Sequence, residues 1–210
     1  MFFLTSLILP VFNLTGAFAT IIGLGGGTLI SRHLGVNKRE DASKVSAFVF
    51  NAAIVMGLIW SLIVLVFMNP LLKALGADSD TFDMAKKYAM CVVVLGGLPT
   101  MLQMTCAQLL RSVGYSKQSG FGMSMGGVLN VILDPVFMFM LLPKGNEIVG
   151  AGIATCLSNI VTLIYFIVVI KSIQDKTVLR FSLKGRMPAS SDIKSVFING
   201  FPGGLSNLLF

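Results

Sequence analysis

Charged positions in this chain come in short clusters, and between the clusters lie long runs with none. Residues 1–31, 45–68, 88–110, 148–170 and 195–210 contain no Asp, Glu, Lys or Arg, and residues 118–143 contain Asp134 alone. A helix that crosses a hydrocarbon core of about 30 Å needs roughly 20 apolar residues. Five of these runs reach that length, and the sixth, 195–210, stops short of it at the end of the sequence. Runs such as GLIWSLIVLVFM (57–68) do not alternate, as the roughly ten-residue strands of a membrane barrel would. The pattern predicts an all-α fold, a polytopic integral membrane helix bundle.

Composition agrees with the pattern. Hydrophobic residues make up 55% of the chain and charged residues 12%, against about 25% charged in soluble domains. Twelve of the sixteen Lys and Arg fall in the first, third and fifth connections. Basic loops stay in the cytoplasm, so these odd connections are expected inside a cell inner (plasma) membrane and the first run is expected to begin outside. The net charge of +7 is then a topology signal and a contact with anionic membrane lipid heads. The basic connections have no interleaved aromatics, and no nucleic acid partner is expected. The first run has neither a basic flank nor a clear cleavage site of the signal-peptide kind, and the last run is incomplete. The sequence therefore reads as a piece of a larger, transporter-sized protein, with the remainder of that chain as an expected partner. Its division is residues 1–170, most of one helical bundle; 171–194, a basic cytoplasmic linker; and 195–210, the start of a second bundle.

Several motifs have plain structural readings. Cys91, Cys106 and Cys156 fall within runs and make no metal-ligand spacing, so they read as small apolar residues. The segment NPLLKALGADSDTFDMAKKY (69–88) reads as a surface helix, with Asp78, Asp80 and Asp83 in solvent and no calcium-loop pattern among them. GLGGGTL (23–29) lacks the Lys-Ser/Thr ending of a phosphate loop. Gly23 and Gly27 instead have the four-residue spacing that lets membrane helices approach closely. His33, the one histidine, reads as an interfacial polar residue without a coupled partner. No Ser/His, paired-Asp or zinc-type grouping appears within the runs, so enzymatic chemistry, cofactors and a structural metal are not expected.

The candidate chemistry lies in GGVLNVILDPVFMFMLL (126–142), where Asp134 is the only charge. With a helix from Gly120 to Pro143, Asp134 lies 9 residues from the nearer end, roughly 13 Å deep. A carboxylate at the centre of a membrane costs around 2.5–3.5 kcal/mol on insertion scales, so it is expected to face a cavity or the bundle interior. Asn130, four residues earlier, shares its helix face, and together their oxygens can hold a proton or a sodium ion. Desolvation favours the protonated carboxyl and a bound cation the ionised one, which suits a group that exchanges the two. Pro135 has no backbone donor and is expected to bend the helix, freeing a carbonyl near Val131 for the same site. Gln103, Thr155 and Asn159 are further candidates for lining the cavity. For single amides the competing reading is an interhelical hydrogen bond worth about 0.6 kcal/mol on average.

The segments GLGGGTLISRHLG (23–35), LLRSVGYSK (109–117), GGVLNVILDPVFMF (126–139) and GAGIAT (150–155), in this order and spacing, resemble the multidrug and toxic compound extrusion (MATE) transporters of bacteria. The resemblance implies two six-helix bundles in a chain about twice this length, with this sequence running from the second helix into the seventh. It implies secondary active efflux of cationic or amphipathic drugs and toxins, by antiport with H⁺ or Na⁺ through alternating access. It also implies an ion-coupling role for the fifth-helix pair matched by Asn130 and Asp134, with Na⁺ at Asp134 in a sodium-coupled protein. The coupling carboxylate of the family's first helix has no counterpart here. Two rivals stand beside this reading. One is a flippase of a lipid-linked saccharide, expected to carry cationic residues in its cavity; here no Lys or Arg falls within a run. The other is a truncated membrane polypeptide without transport activity.

Overall fold

The charge-free runs satisfy their backbone hydrogen bonds inside helices, the arrangement a membrane interior requires. A computed structural model describes residues 2–141, 147–182 and 187–209. Its helices are α1 (Phe2–Gly35), α2 (Arg39–Val66), α3 (Met68–Ala74), α4 (Ser79–Ala89), α5 (Gly97–Ser112), α6 (Ser116–Pro135), α7 (Glu147–Ile173) and α8 (Ser190–Leu209). Wide π-helical turns follow α4 at Met90–Leu95 and α6 at Val136–Leu141. Among the described residues there is no strand. Four helices are long and apolar enough to cross a membrane, and α4–α5, bent by 42° at its break, makes a fifth.

Local signals set the ends of these helices. Asn37, with φ 59°, closes α1 in the left-handed conformation, and the Lys38 N–H reaches back to the His33 carbonyl at 2.8 Å, as helix C-caps do. Gly114, φ 89°, stops α5 in the same way, with the Tyr115 N–H on the Leu110 carbonyl at 2.9 Å. Glu40 and Asp41 occupy the first turn of α2, where the helix dipole favours them.

The chain departs from expectation in four places. Segment 69–88 is not one surface helix. A short α3 ends near Ala74, Asp78 donates its N–H to Thr81 Oγ1 at 3.1 Å, and α4 runs directly into the next span. Pro135 does not divide its span by a bend of more than 40°: Ser116–Leu141 is one 26-residue span, in which the regular helix gives way to a π turn just after the proline. The lost donor is accommodated by the π turn that follows, with the Val136 N–H on the Leu133 carbonyl. His33 has a partner, Asp192 on α8, at 3.5 Å. Finally, the linker is not a free connection over its first part. Val178 and Leu179 are buried, Phe181 packs its ring 4.5 Å from Phe50, and Asn51 of α2 donates to the Phe181 carbonyl at 2.7 Å. Pro143 and Lys144, expected at a span end, and Lys184, Gly185 and Arg186 of the linker lie outside the described residues.

Helix α1 is the hub, packed along α8, α5 and α2. Its glycines permit this. A Cβ on Gly23 would lie 3.1 Å from the Thr105 Cα, and one on Gly25 would collide with the Val196 carbonyl of α8. Two apolar cores result, one around Ile30, Val45, Leu110 and Phe166 and one around Ile8, Leu72, Val92 and Val93. Lipid-type surface covers the outside, including Leu62 and Val66 of α2 and Val131 of α6, the last 71% exposed.

Candidate functional site

Helix α6 carries Asn130 and Asp134 one turn apart, and glycines bring it against α7. A Cβ on Gly126 would strike the Thr162 hydroxyl, and one on Gly122 the Phe166 ring. That close approach sets Asn130 opposite Thr155. The Asn130 amide nitrogen donates to Asp134 Oδ1 and to Thr155 Oγ1, both at 3.3 Å. Thr155 gives its own proton to the Ala151 carbonyl at 2.9 Å, which leaves its oxygen lone pairs toward Asn130. One turn along α7, Asn159 donates to Thr100 Oγ1 at 2.7 Å and accepts from Gln103 Nε2 at 2.8 Å.

These groups surround a cavity of about 440 Å³ bounded by α1, α4, α5, α6 and α7. Asn130, Gln103, Thr155 and Asn159 line it, with Tyr88, Phe12, Met123 and Val92 among the rest of the wall. No Lys, Arg, Asp or Glu lines it among the described residues. Asp134 stands beside the cavity and reaches it through Asn130. Tyr88, on the part of the wall that packs beside Gly152 of α7, lies within electrostatic reach of Asp134. Pro135 is exposed at the helix edge and contributes no lining atom. A chamber of this size and mixed polarity suits a small organic guest, and the adjoining carboxylate supplies a negative charge where a cation would be drawn. Among the described residues no group of three His, Cys, Asp or Glu can hold a metal ion. The oxygens of Asp134 and Thr155 are hard ligands of the kind alkali cations take, and the Asn130 amide nitrogen lies between them.

Sequence reasoning missed Thr100, Tyr88 and Phe12. Thr100 had one available signal, its place just after Gly96, Gly97 and Pro99, a run that interrupts a helix. Phe12 had none, because α1 is apolar nearly all round; Tyr88 ends the charged, amphipathic α4, a segment that reads as a surface helix and not as a cavity wall.

Residues 5–136 match the family model described as MatE. The Multidrug export protein MepA of Staphylococcus haemolyticus (strain JCSC1435) is 31% identical over 204 residues, which are 97% of this chain and 44% of that protein. MepA of Staphylococcus aureus (strain NCTC 8325 / PS 47) gives the same identity and coverage. Among solved structures, an inward-facing multidrug resistance MATE family transporter of the MOP superfamily superposes with a TM-score of 0.90 at 27% identity, covering 98% of this chain and 46% of its own. A MOP superfamily transporter from Pyrococcus furiosus Vc1 (DSM3638), described as having a binding pocket of reverse polarity that suggests a different function, gives 0.87 at 26%, covering 98% and 44%. The chain spans less than half the length of these relatives.

Proposed function

The chain belongs to the MatE family, and from that membership we propose that the protein it builds exports cationic or amphipathic organic molecules in exchange for H⁺ or Na⁺. The observation that carries the proposal is the contact of Asn130 with both Asp134 and Thr155 at the edge of a 440 Å³ cavity that no basic residue lines. The relatives are multidrug export proteins, which supports transport of drugs rather than chemistry upon them.

Asp134 is the exchange point. With the cavity open to the outside, its carboxylate takes up a proton or a sodium ion; for sodium, the Thr155 hydroxyl oxygen joins it and the Asn130 amide turns its oxygen inward in place of the nitrogen it now offers. Neutralising Asp134 removes the charge that attracts a cationic guest, so cation uptake and guest binding exclude each other, and uptake of the cation releases the guest. The gradient drives the cycle only because the two loaded states favour different conformations. The odd connections, which carry most of the Lys and Arg, face the cytoplasm of the cell membrane. A flippase of anionic lipid-linked sugars is disfavoured by the absence of Lys and Arg from the described cavity wall.

Reconstituting the full-length polypeptide in vesicles tests the proposal. An imposed proton or sodium gradient is expected to drive a cationic dye in the opposite direction, and Asp134→Asn is expected to abolish this while inserting normally into the membrane. Undiminished gradient-driven dye movement by that variant refutes the coupling role.

A further inference from the structure

The span α4–α5 is the one span among the described residues broken by a bend of more than 40°, at 42°, and its break is not left to itself. Pro99 has no N–H to continue the helix backward. The donor it lacks is the one that would serve the Leu95 carbonyl, while the Gly96 carbonyl, at the break, takes the ordinary helical bond from the Thr100 N–H at 2.9 Å and in addition the Thr100 hydroxyl at 2.7 Å. Thr100 is only 3% exposed, and its oxygen in turn accepts the Asn159 amide from α7. The same amide's oxygen holds Gln103, one turn further along α5. A single side chain on α7 thus brackets the first turn after the break.

Two members of the bracket, Asn159 and Gln103, also line the cavity, and so do Tyr88 and Val92 on the other side of the break. A guest that hydrogen-bonds inside the cavity competes for the amide that ties α5, just after the bend, to α7. A change of bend, in turn, moves the wall that carries Tyr88. Asn159 lies one turn from Thr155 on α7, and Thr155 is held by Asn130, so the bracket and the coupling site hang on one helix face. Buried polar networks set a specific geometry where apolar packing would tolerate several.

We propose that Asn159 is a positioning residue that links occupation of the cavity to the bend of the α4–α5 span, acting through Thr100 and Gln103. This rests on the transport reading above. Occupying the cavity draws the Asn159 amide away, frees the first turn of α5, and lets the span change its angle.

The test uses the full-length protein with its native cysteines replaced and spin labels at Lys86→Cys and Val168→Cys, both sites being exposed. The label distance is read with and without a cationic dye, beside gradient-driven dye efflux. In the unmodified background, dye is expected to shift the distance. Thr100→Val and Asn159→Leu are both expected to lose that shift and to lower the maximal efflux rate about tenfold; Thr100→Val, which is outside the cavity wall, is also expected to keep dye binding within about threefold with little change in KM, the signature of a lost conformational step. Thr100→Ser, which keeps the hydroxyl, is expected to recover the shift. A full dye-linked shift in both Thr100→Val and Asn159→Leu, no shift in the unmodified background, or equal loss in Thr100→Ser and Thr100→Val would overturn the proposal. The bracket is decided by the distance alone. Failure of the unmodified protein to move dye under either gradient, by contrast, counts against the proposed function.

Discussion

Asn130 makes the proposed coupling site by holding two partners at once. Its amide nitrogen lies 3.3 Å from both Asp134 and Thr155, so removing it separates the carboxylate from the hydroxyl. Asn130→Leu keeps the side-chain volume and is expected to weaken dependence on the coupling cation about tenfold, roughly the 1–3 kcal/mol lost when charged and polar partners go unpaired. The check is the cation concentration that half-saturates dye efflux, which should rise while expression in the membrane stays level. The pair itself was legible in the sequence, because a carboxylate and an amide four residues apart in an apolar run must share a face. The facing of Gln103, Thr155 and Asn159 was not. Helix α7 is apolar nearly all round, and a helix without a polar side offers no periodicity from which to read its orientation. His33 shows the same limit. Its partner Asp192 lies 159 positions further along the chain, and nothing local announces a contact at that separation.

At the scale of elements, polar side chains inside the spans serve irregular backbone as much as neighbouring helices. Asn51 is the clearest case. Its amide donates to the Phe181 carbonyl at 2.7 Å and to the Ala47 carbonyl at 2.8 Å, and the neighbouring Ser46 hydroxyl accepts the Arg180 N–H at 3.1 Å. The extended segment after α7 is thereby fastened beneath α2. The sequence marked 171–194 as a basic linker, and its charge hid the short apolar stretch of Val178, Leu179 and Phe181 that docks. Asn51→Leu is expected to cost about 1–2 kcal/mol of local stability, the range for a carbonyl left without its donor. Amide exchange at residues 177–182 should quicken in that variant, with exchange in α7 unchanged; equal exchange in both proteins would show that Asn51 does not hold the strap. Breaks were partly legible too. Gly96, Gly97 and Pro99 announce the bend in α4–α5, whereas Pro135 stands where α6 passes into the π turn at Val136–Leu141, with no bend above 40°. Proline removes one hydrogen bond in either setting, and the packing around it decides whether the helix kinks or widens.

The whole molecule is two apolar cores with a polar layer and a cavity between them, strung on α1. The seam of α1 with α8 runs along much of α1, from Thr20, which accepts the Asn207 amide at 2.6 Å, to His33 beside Asp192. Between these ends Gly25 and Gly200 admit backbone against backbone, and a Cβ at Gly200 would collide with the Ile21 carbonyl. Gly200→Ala is expected to cost about 1–3 kcal/mol by overpacking, read as a lower thermal midpoint in detergent. An unchanged midpoint would mean that α8 is free to shift on α1. The helical membrane class was legible from charge spacing alone, because lipid forbids unpaired backbone and leaves long apolar helices few alternatives. The cavity was not, since five separate elements contribute its wall. The central claim is that Asp134 exchanges a coupling cation for a cationic guest, and the most direct measurement is ion release on guest binding. The full-length protein is purified in lightly buffered detergent, a cationic dye is added, and proton and sodium release are followed. Release of H⁺ or Na⁺ on dye binding, absent in Asp134→Asn, is the predicted result; equal release from both proteins, or dye binding that releases neither ion, would contradict it.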